Sequence, residues 1–100
     1  MSLDPLKIYE KIDPDLHGNI SKAIEFALSD GALPKKFKLL IAMVLDASHG
    51  AVPGVIALAK AAKAAGATKE EILEAIRVAH YISGVGCVYA ASHAMKELFE

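Results

Sequence analysis

The sequence predicts an all-α fold: one domain, residues 1–100, built as a bundle of about six helices. Three observations carry that expectation. Apolar residues recur at i, i+3, i+4 and i+7 in successive segments. Helix start and stop signals punctuate the chain at short intervals. No stretch sustains the apolar/polar alternation of a half-buried strand.

The elements follow in order. Asp4-Pro5 opens a first short helix, a capping residue followed by proline at the first helical position. Leu6, Ile8, Tyr9 and Ile12 give it apolar content, but it is too short to stand alone. Asp13-Pro14 repeats the signal, and Leu16, Ile20, Ala23, Ile24, Ala27 and Leu28 form a helical stripe that Gly31 ends. Gly18 weakens this helix by roughly 1 kcal/mol relative to alanine. Pro34 opens the third helix. Its run Leu39–Leu45 is apolar on every side, which places it centrally or between subunits. Gly50 is its stop, and Pro53-Gly54 falls in the joint to a fourth, alanine-rich helix. There Val55, Ile56 and Leu58 face inward, while Lys60 and Lys63 lie in solvent.

The most informative joint comes next. Gly66 suits the left-handed position just past a helix end. Thr68 and Glu71 have the spacing of a capping box, and Glu70 and Glu71 put negative charge at the positive end of the helix dipole. Ile72, Ala75, Ile76 and Ala79 then mark one apolar face of a fifth helix running to about Ser83. Gly84-Val85-Gly86 reads as a kink, a tight turn or a close backbone contact. A last helix carries Val88, Ala91, Met95 and Leu98.

Composition limits the partners. Apolar residues make up 54% of the chain, against roughly 45–50% in an ordinary domain. One small core cannot absorb that much, so a homo-oligomer is expected. Net charge is −1 with no basic block, which argues against a nucleic-acid partner. No run approaches the roughly 18–20 apolar residues that span a membrane. The N-terminus has no apolar signal region, so a cytoplasmic protein is expected. The single cysteine, Cys87, excludes a disulfide or a Cys-x-x-Cys site within one chain. Neither a cofactor nor a metal motif is expected.

The run KFKLLIAMVLDASHG, then ALAKAAKAAGATKEEILEAIRVA, then YISGVGCVYAASHA resembles the carboxymuconolactone decarboxylase family, which includes the alkylhydroperoxidase-D-like proteins. The resemblance covers a core of about residues 34–98. It implies an all-helical obligate oligomer, a trimer or hexamer, with peroxiredoxin-type antioxidant activity or decarboxylation of a lactone acid. The family's redox members use a Cys-x-x-Cys pair, a histidine four residues later and an upstream glutamate. Counted from Gly66, those positions hold Ala51, Gly54, Leu58 and a residue near Leu39. The motif is degenerate, so a binding or scaffold protein that retains the fold is the alternative. A site lined by Ala51, Gly54 and Leu58 takes a small apolar molecule.

The remaining reactive groups are weighed directly. Cys87 starts the last helix, where the helix N-terminus favours a nucleophilic thiolate. The commoner role is a small buried core residue, and the flanking Gly86 and Val88 have the character of packing residues. Asp46 and His49 are i, i+3, so a carboxylate can orient an imidazole as general base. The plainer reading is an ordinary helix end, since termini attract such residues and histidine complements the dipole there. His49, His80 and Asp46 joined across subunits give a third, metal-dependent reading. His17 and His93 read as surface residues, and Tyr81 and Tyr89 line a pocket or rim a subunit contact.

Overall fold

The computed structural model describes residues 5–100 and contains helices without strands among them. The elements are α1 (Tyr9–Ile12), α2 (Pro14–Leu28), α3 (Lys35–Ser48), α4 (Val52–Ala64), α5 (Lys69–Ser83) and α6 (Gly86–Phe99). The all-α expectation is met, and α3 is the hub. It packs against α4, α5 and α6, while α4 and α5 each pack against α6.

The core follows from residue size. Met43, Val55 and Ile72 are its largest fully buried side chains. Around them lie Ala47, Ala59, Ala62, Ala79, Ala91 and Ala94. Such small contact residues let helix axes approach closely, since interaxial distance follows the side chains at the contact.

The α4–α5 joint forms as its residues dictate. Gly66 has φ +102°, a conformation that a Cβ would strain. Its N–H donates to the Lys63 carbonyl at 3.0 Å, and the Ala67 N–H donates to the Ala62 carbonyl at 2.9 Å. These are the two bonds of a Schellman motif. The Thr68 N–H then donates to Glu71 Oε1 at 2.9 Å, and the Glu71 N–H donates to Thr68 Oγ1 at 3.1 Å. Lys36 Nζ on α3 reaches Glu71 Oε2 at 3.1 Å, tying the cap to the hub. The Thr68 backbone bond first, and Lys36 second, hold the Glu71 carboxyl below its usual range.

Several boundaries and faces differ from the sequence expectation. The expected Asp4 cap lies outside the described residues. Pro5–Ile8 form turns, with i→i−3 bonds such as Tyr9 N–H to the Leu6 carbonyl, and only Tyr9–Ile12 is helical. Few residues cannot repay helix nucleation. Helix α2 ends at Leu28, before Gly31, because Ser29 turns extended. Its apolar stripe has no fully buried residue: it packs mainly on α1 and α3, with Leu28 half-buried against the core. Pro53 and Gly54 lie inside the first turn of α4, not in the joint. Proline costs little there, because a first-turn N–H has no helical acceptor. Lys60 is not free in solvent, since its Nζ pairs with Glu97 Oε2 at 3.4 Å. The glycine pair resolves as a tight turn, with Gly84 at φ +84° and ψ −178°.

Candidate functional site

The residues with chemical potential gather near one end of the bundle. Helix α3 ends at Ser48, and His49 follows as its C-cap. Gly50 N–H donates to the Ala47 carbonyl and Ala51 N–H to the Asp46 carbonyl, which reverses the chain into α4. Ser48 Oγ and Ser83 Oγ lie 2.9 Å apart, joining the ends of α3 and α5. The Gly84 turn follows immediately, so the α3–α4 elbow and the start of α6 share this end.

Asp46 occupies the elbow. It is half-buried, and its carboxylate lies over Gly54. A Cβ added at Gly54 would overlap Asp46 Oδ2 and sit 3.0 Å from Asp46 Cγ. Glycine at 54 is therefore what gives Asp46 its place. The carboxylate lies at the first turn of α4, where the dipole favours negative charge.

His49 is exposed and makes no side-chain hydrogen bond or ion pair among the described residues. Asp46 and His49 lie on the same elbow without bonding to each other. Cys87 is 3% exposed and belongs to the core cluster. Its Sγ donates to the Gly84 carbonyl at 3.1 Å, which requires the protonated thiol. The structure thus separates the three named residues into an elbow carboxylate, an exposed imidazole and a buried thiol.

The sequence reading missed a groove between α5 and α6. Leu73, Ile76, Arg77, His80 and Val88 line an open depression of about 270 Å³. On α5 the lining falls at i, i+3, i+4 and i+7, a spacing visible in the sequence once Arg77 is counted with its apolar neighbours. Among the described residues, no three His, Cys, Asp or Glu side chains converge as a metal site. No helix there is long and apolar enough to cross a membrane.

A short-looped, all-helical unit centred on α3, with a tight α3–α4 elbow and a boxed α5, defines the class. The carboxymuconolactone decarboxylase family model matches residues 14–97. The chain belongs to the carboxymuconolactone decarboxylase family. It is also similar to the crystal structure of an apo carboxymuconolactone decarboxylase family protein from Legionella pneumophila. That likeness has 33% identity and a TM-score of 0.84, covering 95% of this chain and 88% of the other. No curated protein matches by sequence.

The family assignment makes the departures concrete. Ala51 is the N-cap residue of α4, Gly54 lies in its first turn, and Leu58 is half-buried one turn further. Leu39 is buried in the core. None can act as a thiol, base or acid.

Proposed function

We propose that this chain is a self-associating family member that binds a small apolar molecule and runs no thiol peroxidase cycle. The observation that carries the reading is the Asp46 carboxylate lying where a side chain at position 54 would stand. A second thiol cannot occupy that position without displacing the acid. Cys87 adds support, because a buried thiol donating to a carbonyl is a poor nucleophile.

Self-association draws on the exposed apolar stripes. Phe37, Ile41 and Leu45 recur at i, i+4 and i+8 along α3, with Ile41 48% and Leu45 55% exposed. Their face continues α3's apolar character outward, and a trimer or hexamer would cover it.

The second reading is peroxiredoxin-type activity at Cys87, with His49 and Asp46 at the same end of the bundle. What favours it is the position of Cys87 in the first turn of α6. The thiolate would attack the peroxide oxygen, releasing the alcohol and leaving a sulfenic acid for an external thiol to reduce.

One assay separates the readings. Purified protein is given an organic hydroperoxide and a dithiol reductant, beside the Cys87→Ala variant. Equal, background-level consumption by both is expected. Turnover in the wild type that vanishes in Cys87→Ala would establish the peroxidase reading instead.

A further inference from the structure

The α5–α6 groove has a chemistry of its own. Leu73, Ile76 and Val88 form its apolar part, with Ile76 buried and Leu73 half-buried. Arg77 and His80 stand at its edge, both exposed. Arg77 makes no ion pair or hydrogen bond through its side chain among the described residues. A guanidinium carries five donors in a planar fork that matches a carboxylate in two parallel bonds. Elsewhere on the surface Lys36, Lys60 and Lys96 each pair with a carboxylate, whereas the cation at this groove does not.

The geometry points to this groove as a binding site for a small apolar monocarboxylic acid. Its body packs on Leu73, Ile76 and Val88, and its carboxylate meets Arg77, with His80 beside it. Resting on the binding reading above, the inference names where the ligand sits and what class it is. Charge decides the class, since an apolar cleft edged by an unpaired cation favours an anionic head over a neutral one. Size limits it further. At about 270 Å³ and open to solvent, the depression limits the bound body to a single ring or a short branched chain at most.

The test uses sodium benzoate as probe, titrated into the intact ¹⁵N-labelled protein with sodium chloride as the salt control. Benzyl alcohol serves as the neutral analogue. Saturable shifts at Leu73, Arg77, His80 and Val88 are expected with benzoate. Arg77→Gln is expected to weaken benzoate about tenfold or more, because a charge-assisted pair is lost. Its exposed site leaves the fold intact, which unchanged spectra elsewhere verify. Benzoate binding undiminished in Arg77→Gln overturns the inference, as do shifts mapping to another face. Benzyl alcohol saturating the same groove as tightly as benzoate overturns the carboxylate class while keeping the binding reading. Failure of both probes to saturate the wild type overturns the site and counts against that reading too.

Discussion

Single residues carry the clearest consequences. Thr68 and Glu71 satisfy each other's backbone at the start of α5, so Thr68→Ala leaves one N–H without its acceptor. A loss of about 1 kcal/mol is expected in urea unfolding. Glu71 has a depressed pKa in the folded chain. Its contribution is therefore present above the unfolded-state carboxyl value and is lost as pH falls through the folded value. Wild-type stability should drop on acidification across that window, and a Glu71→Gln variant should drop less. At Gly54 the argument is steric. Gly54→Ala drives a Cβ into the Asp46 carboxylate and is expected to cost about 1–3 kcal/mol. In an Asp46→Ala background that cost should largely disappear. An equal cost in both backgrounds, measured as a double-mutant cycle, would show that the carboxylate is not what glycine accommodates.

At the scale of elements, α2 stands apart. It has no fully buried residue, and Phe26 is 88% exposed. Its stability rests more on local terms than that of α3 or α4 does. Gly18 has open space where a Cβ would go, so Gly18→Ala should stabilise by about 0.5–1 kcal/mol. Thermal melting checks this, and a fall in Tm would mean that something packs on that position in the assembled protein. The elements were largely legible in the sequence. Asp13-Pro14, Gly50, Gly66 and the Thr68–Glu71 box are local signals, read within one turn. The elbow was less legible. Whether Pro53-Gly54 precedes or enters α4 depends on how α3 reverses, and proline suits either. Asp46 was expected beside His49 because helical spacing links them. Its carboxylate instead meets α4, a neighbour that i, i+3 counting cannot see.

At the scale of the whole molecule, the surplus of apolar surface is the dominant fact. Beyond the α3 stripe, Tyr81, Ile82, Val85 and Tyr89 are exposed around the α5–α6 turn, Tyr81 by 84%. A lone subunit would keep these in water. Sedimentation should find a multimer that resists dilution. An Ile41→Lys/Leu45→Glu double variant should shift it towards single subunits while the helical signal persists. A wild-type chain that sediments as one subunit at all concentrations would remove the self-association reading.

While leaving α3 either central or between subunits, the sequence alone determined the all-α class and the caps at Asp13 and at Thr68–Glu71. These depend on residues within a few positions of each other, where backbone bonding and helical periodicity act. It also carried the family resemblance, since GATKEEI and its flanking helices are contiguous. Tertiary structure decided what the chemistry-bearing residues face. Cys87 became a core thiol bonded to Gly84, Asp46 filled the space over Gly54, and Arg77 came to edge a groove with Val88 of the next helix. Each outcome depends on contacts between helices, and those form only when the core closes around Met43, Val55 and Ile72.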